Sequence, residues 1–158
     1  MTSNLVVRVA GATDIAAVAS LRLAWGDGDD AGDHPDFERD LAEWIADEGD
    51  RRTIWLAELN NKPVGLATLY EFRRMPRPGR MDSRWGYVGN MFVREGQRNR
   101  GIGTALIHAV IDEAQTRGYV RVVLSPTPRS VPFYRRAGFV DAGGETGERL
   151  LLRPNPLS

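Results

Sequence analysis

The sequence predicts an α+β domain built around one mixed β-sheet, and three observations lead there. Short β-rich runs and amphipathic helical stretches follow one another in the order β-α-α-β-β-β-α-β-α-β-β. The 158 residues suit a single domain, 1–158, with one core and a short tail at 153–158. Apolar residues make up 42% and charged residues 27%, the balance of an ordinary globular chain.

The elements follow in order. Leu5–Val9 reads as a strand. Thr13 and Asp14 offer an N-cap for a helix through about Trp25, in which Ile15, Val18, Leu21 and Trp25 recur at helical spacing and face a core. Asp27, Asp29, Asp30, Asp33 and Asp36 mark a loop. Phe37, Leu41, Trp44 and Ile45 mark a second helix ending near Gly49. Arg52–Leu59 and Val64–Phe72 are β-rich runs joined by Asn60-Asn61-Lys62-Pro63, a hairpin signal. The prolines and arginines of residues 73–84 indicate a loop, and Trp85–Val93 is the next strand. A Gly-rich turn leads into a helix from about Gly101 to Arg117, with Ile102, Leu106, Val110, Ile111 and Ala114 on one side and Gly118 just past its end. Val120–Leu124 is a strand. Ser130–Ala137 is a short helix capped by Ser130 and stopped by Gly138, and Phe139–Asp141 and Glu148–Leu152 close the chain as strands.

Composition narrows the function classes. Lys plus Arg equals Asp plus Glu, at 21 each, so no electrostatic case exists for nucleic acid or an anionic membrane as the main partner. The five arginines Arg73, Arg74, Arg77, Arg80 and Arg84 lack the aromatic interleaving of a nucleic-acid binder and read as a solvated loop. With no cysteine and only His34 and His108, the expected metal set is none, and thiolate catalysis is excluded. No apolar run is long enough to span a bilayer, and the first residues lack a signal-peptide pattern, which leaves the cytoplasm as the expected compartment.

The informative segment is Met91-Phe92-Val93-Arg94-Glu95-Gly96-Gln97-Arg98-Asn99-Arg100-Gly101-Ile102-Gly103-Thr104. It follows a predicted strand and opens a predicted helix. Two glycines at i and i+2 let a ligand approach the backbone. The helix start presents unpaired N–H groups and a positive dipole end, which together suit a pyrophosphate, and Arg98 and Arg100 add charge. Two nucleotide motifs fail here. Ile102-Gly103 stands where a P-loop needs Lys and Ser/Thr, and Leu106 stands where the Rossmann fingerprint needs its third glycine.

Arg98-Asn99-Arg100-Gly101-Ile102-Gly103 instead resembles the Gln/Arg-x-x-Gly-x-Gly/Ala signature of the GCN5-related N-acetyltransferase (GNAT) family. Val93 falls where that family's strand end lies, with Glu95 replacing a usual proline. Pro132-Phe133-Tyr134-Arg135-Arg136-Ala137-Gly138-Phe139 resembles its second signature, an aromatic turn ending in Gly-Phe. The resemblance implies a GNAT-like fold in which two parallel strands, here Trp85–Val93 and Val120–Leu124, splay apart to form a cleft for acetyl-CoA. It implies that the backbone at Met91, Phe92 and Val93 pairs with the pantetheine amides. It implies too that Arg98, Asn99, Arg100, Gly101, Ile102, Gly103 and Thr104 hold the pyrophosphate. The asparagine usual after the fifth strand is replaced by Thr127, so Ser130 is read as a substitute CoA contact.

The activity so implied is acetyl transfer to the primary amine of a small molecule or peptide, by direct attack in a ternary complex. An alternative is a non-catalytic acyl-CoA-binding or sensor module on the same fold. A lysine-like ammonium has pKa ~10.4, so roughly one in 10³–10⁴ is neutral at pH 7, and a base or desolvation is required. Glu71, near a strand end, is the first candidate base, with Glu58 and Asp82 as alternatives. Tyr134 matches the tyrosine that serves the leaving thiolate. The aspartates at 27–36 would attract a cationic acceptor. Oligomeric state is open, a homodimer being common among similar proteins.

Overall fold

The computed structural model describes residues 4–25, 34–79, 84–143 and 149–154. Seven strands form one mixed sheet in the order β1-β2-β3-β4-β5-β7-β6. They are β1 (Leu5–Val9), β2 (Arg52–Leu59), β3 (Lys62–Arg73), β4 (Arg84–Val93), β5 (Val122–Leu124), β6 (Val140–Asp141) and β7 (Leu150–Leu152). The helices are α1 (Ile15–Trp25), α2 (Phe37–Glu48), α3 (Ile102–Thr116) and α4 (Val131–Arg136). The element order is the one the sequence predicts. Among the described residues, no helix is long and apolar enough to cross a membrane.

The chain divides into two compact units, and β3, β4 and α3 contribute residues to both. The first comprises Met1–Thr68 with Asn90–Leu106. Within it β1 runs antiparallel to β2, with Val7 opposite Ala57. The β2–β3 turn has positive φ at Asn60 (52°) and Asn61 (68°), the conformation of a two-residue hairpin turn. Val18 and Leu21 from α1, Ile54 and Leu56 from β2, Leu66 from β3 and Phe92 from β4 form a buried cluster. Leu41 and Ile45 of α2 pack on it, so Val18, Leu21, Leu41 and Ile45 of the predicted apolar stripes face a core, while Trp25 and Trp44 stay partly exposed. The start of α1 differs from expectation. Gly11 occupies the N-cap position of a short 3₁₀ turn, and Asp14 reaches back to accept its N–H at 2.7 Å. Asp14 is recruited there because Arg8 clamps both its oxygens at 2.9 Å.

The second unit comprises Leu69–Gly89 with Ile107–Ser158. Here β4 runs parallel to β5, with Gly86, Tyr87 and Val88 opposite Val122, Val123 and Leu124. Strand β7 pairs antiparallel with both β5 and β6. Strand β5 begins two residues later than predicted. The Val120 N–H bonds the Arg84 carbonyl at 2.9 Å, and the ladder proper begins at Val122. Ser130 does not cap α4 as expected: its hydroxyl donates to the Thr127 carbonyl at 3.0 Å and closes a local turn instead.

Candidate functional site

Strand β4 carries Met91, Phe92 and Val93 to its end, and the chain then passes through a 3₁₀ turn at Glu95–Gln97 into α3. The strand end is pinned on several sides. The Arg94 N–H bonds the Val64 carbonyl at 2.8 Å, and the Arg94 guanidinium bonds the Pro63 carbonyl at 2.9 Å and Ser20 Oγ at 2.8 Å. Gly65 of β3 is required there, because a Cβ would lie 2.9 Å from the Phe92 carbonyl oxygen. The Arg98 side chain folds back so that Nε reaches the Val93 carbonyl at 3.4 Å.

The turn itself takes an unusual backbone. Asn99 and Gly101 both have positive φ, at 65° and 78°, and they flank Arg100. Left-handed positions in such a turn rotate successive N–H groups toward one concave side, which suits an anion. Gly101 meets open space where a side chain would start, while Ile102 immediately after it is buried. The first helical hydrogen bond of this segment runs from the Ala105 N–H to the Gly101 carbonyl at 3.0 Å. The N–H groups of Ile102, Gly103 and Thr104 therefore precede the helical ladder. Arg98, Asn99, Arg100, Gly101 and Thr104 are exposed, so a phosphate can approach. The residues read as the pyrophosphate loop thus lie on one continuous strand–turn–helix within the first unit.

Glu71, Ser130 and Tyr134 belong to the second unit. The Glu71 side chain is 1% exposed. Its Oε2 accepts from Arg73 Nε at 2.5 Å and its Oε1 from the Tyr119 hydroxyl at 2.8 Å. Arg117 and Arg84 approach Oε1 at 3.5 and 3.8 Å. Burial pushes the Glu71 carboxyl upward, but the hydrogen bonds from Arg73 and Tyr119 and the charges of Arg73 and Arg84 outweigh it, and the net direction is down. Both oxygens are engaged and the carboxylate is held charged, which makes it a poor proton acceptor. The geometry disfavours Glu71 as the base and gives it a structural role at the centre of an arginine cluster. Tyr119 is pushed up to about 12 by burial and by its bond to Glu71, and donates as a neutral phenol. Of the alternatives, Glu58 is bound by Arg8 Nε at 2.6 Å, and Asp82 lies outside the described residues.

Tyr134 is buried in α4, edge-on to Phe133 and Phe139 at centroid distances of 5.0 and 5.8 Å. Burial raises its phenol to about 12. Against an alkyl thiol near 8.5, full proton transfer to the thiolate is uphill by about 5 kcal/mol. What remains open to Tyr134 is hydrogen-bond donation.

A model of the Acetyltransferase (GNAT) family matches residues 17–139, and so spans both loop signatures. The chain belongs to this family. Glucosamine 6-phosphate N-acetyltransferase 1 of Oryza sativa subsp. japonica is 31% identical over 81 residues, which cover 51% of this chain and 47% of that protein. The chain spans 47–60% of the length of the curated relatives it matches. A GCN5-related N-acetyltransferase from Ralstonia eutropha JMP134 superposes with a TM-score of 0.67 at 26% identity, covering 89% of this chain and 95% of that one. A predicted acetyltransferase with acetyl-CoA from Clostridium acetobutylicum shares the fold, with a TM-score of 0.68 at 24% identity over 88% and 92% of the two chains.

The first unit of this GNAT chain also holds a cavity of about 290 Å³ that sequence reasoning did not find. Its walls are mostly apolar, among them Trp25, Phe37, Leu41 and Trp44. At its polar end Thr68 donates to Asn90 Oδ1 at 3.1 Å, and Asn90 directly precedes Met91 on β4. The helical periodicity of Phe37, Leu41 and Trp44 was visible, but it looks the same whether a stripe fills a core or borders a cavity. Of the predicted aspartate-rich loop, residues 27–33 lie outside the described residues, and Asp36 precedes α2.

Proposed function

We propose that this chain is an acetyl-CoA-dependent N-acetyltransferase that acts on a primary amine by direct attack in a ternary complex, and that it works as one acetyltransferase domain. One observation carries this reading: β4 ends in a turn with left-handed Asn99 and Gly101, open space at Gly101, and a helix start whose N–H groups precede the ladder. Those N–H groups bind the pyrophosphate together with Arg100, and the backbone at Met91–Val93 pairs with the pantetheine amides. A backbone N–H at that strand end polarises the thioester carbonyl. The amine nitrogen forms a bond to the carbonyl carbon, the carbon–sulfur bond breaks, and the nitrogen's surplus proton passes through water to the departing thiolate, which Tyr134 hydrogen-bonds as it leaves as the thiol. Because Glu71 and Glu58 are held by arginines, neither is the base in this reading, and the ammonium loses its proton to water before attack.

Relatives named as N-acetyltransferases support the amine as acceptor. The test is thiol release from acetyl-CoA with a panel of amines. Amine-dependent release supports transfer. Tight acetyl-CoA binding without release under any amine favours the second reading, a non-catalytic acyl-CoA-binding module, for which the engaged state of both carboxylates is the motivating observation.

A further inference from the structure

We infer that the acceptor amine carries an aromatic or branched apolar body, which seats in the cavity of the first unit, and that it is not a phosphorylated sugar. The inference rests on the transferase reading above and concerns which amine that reaction takes.

Three features of the cavity point to this class. The first is size and lining. A dry cavity of about 150 Å³ lined by apolar side chains accepts benzene. At about 290 Å³, with Trp25, Phe37, Leu41 and Trp44 in its walls, this one has room for an aryl group and a short linker. Trp25 and Trp44 are 37% and 39% exposed, and large apolar rings left uncovered around a concavity mark a place where something apolar docks.

The second is rigidity. Trp25 stacks on Phe92 at 5.8 Å, with Arg22 4.8 Å from its ring centroid. Arg52 lies 5.0 Å from the Trp44 ring centroid and is itself fixed by Glu48, with Nε at 2.9 Å. The rings are held in place before any ligand arrives, so little ordering cost falls on binding.

The third is charge. The stretches 1–68 and 90–106 that make up the first unit hold fourteen Asp and Glu against nine Lys and Arg. Asp40 stands in the cavity wall, paired with Arg39 at 3.5 Å, and the cations beside the lining are engaged, Arg22 over the Trp25 ring and Arg52 over the Trp44 ring with its Nε bonded to Glu48. A phosphate there would meet apolar surface, a carboxylate and cations already engaged by other groups, which is costly. A protonated amine meets the opposite situation and is drawn in. The polar end then orients it. Asn90 Oδ1 accepts from the Thr68 hydroxyl and keeps a second lone pair, which an amine N–H can reach. Asn90 is next to Met91, so an amine leaving the cavity along β4 arrives at the strand end that the transferase reading gives to the thioester.

The experiment measures thiol release with 2-phenylethylamine, ethylamine and glucosamine 6-phosphate, for wild type and Trp44→Ala, with acetyl-CoA binding followed in parallel by calorimetry. Wild type is expected to prefer 2-phenylethylamine over ethylamine by at least about tenfold in kcat/KM. It should use glucosamine 6-phosphate less well than either. In Trp44→Ala the preference should fall about tenfold, through KM, with acetyl-CoA affinity unchanged. Trp44 is half-exposed, so the variant should fold, and circular dichroism checks this. Preferred use of glucosamine 6-phosphate overturns the inference and leaves the transferase reading intact, as does an aryl preference that Trp44→Ala does not alter. Acetyl-CoA binding without release under all three amines overturns both.

Discussion

Replacing Glu71 by Gln keeps the side-chain volume and removes one negative charge from among three arginines. The carboxylate is 1% exposed, whereas Arg73, Arg84 and Arg117 are 43%, 40% and 28% exposed. Breaking a buried ion pair by neutralising one partner costs about 3–5 kcal/mol, because the other charge stays behind. Here the cations can partly rehydrate, so about 2–4 kcal/mol is expected. For a chain of this length each kcal/mol shifts Tm by roughly 2–4 °C, so a loss near the middle of that range lowers Tm by about 6–12 °C. The pH dependence has a definite sign. The folded-state carboxyl is held below the ordinary value of 4.5, so its contribution is full above that value and is lost as pH falls through the folded value. Glu71→Gln should therefore flatten the acid side of the stability profile. Urea unfolding followed by circular dichroism measures the stability, and thiol release below the unfolding transition measures turnover. The reasoning expects kcat within about threefold of wild type. A kcat loss of about 100-fold or more with an unchanged unfolding midpoint would refute it and restore Glu71 as the base.

Tyr134→Phe should lower kcat about 10–100-fold, the worth of one hydrogen bond to a charged group, with acetyl-CoA affinity nearly unchanged; equal kcat when chemistry limits turnover would reduce Tyr134 to packing. The difference between ultraviolet titrations of wild type and Tyr134→Phe should show the Tyr134 phenol ionising near pH 12. Asp14 is lowered to about 2 by its hydrogen bonds from Arg8 and from the Gly11 N–H. Asp14→Asn should cost about 1 kcal/mol after solvent screening, a contribution present above pH 4 and lost as pH falls through about 2, read from urea midpoints across that range. If no carboxylate serves as base, kcat/KM should rise about tenfold per pH unit up to the pKa of the amine, and a plateau near neutrality would reveal an enzymic base.

The strand–turn–helix at residues 91–104 was legible because everything it needs is local. A strand end, two residues in left-handed backbone and a helix start all lie within one short stretch. The hairpin at Asn60-Asn61 was legible for the same reason. The surroundings of Glu71 were not legible because they are not local. Position alone makes it a strand-end carboxylate, and burial comes from Arg117 and Tyr119, which reach it from the end of α3 and the residues beyond. The N-cap shift from Thr13 to Gly11 has a similar origin, since Arg8 on β1 selects the conformation in which Asp14 reaches back. The insertion of β7 between β5 and β6 also escapes sequence reading, because short β-rich runs carry no label for their partners. The cavity went unseen because an apolar stripe on α2 does not say what it faces.

The most direct test of the central claim is calorimetric titration of acetyl-CoA into wild type and Gly103→Glu, the latter first checked for folding by circular dichroism. Gly103 lies in the first turn of α3, where a carboxylate would put bulk and like charge against a pyrophosphate. If residues 98–104 hold the cofactor's phosphates, wild type binds with one-to-one stoichiometry and the variant loses at least about 100-fold in affinity. Equal affinity in the two proteins, or no binding by wild type, would contradict the account.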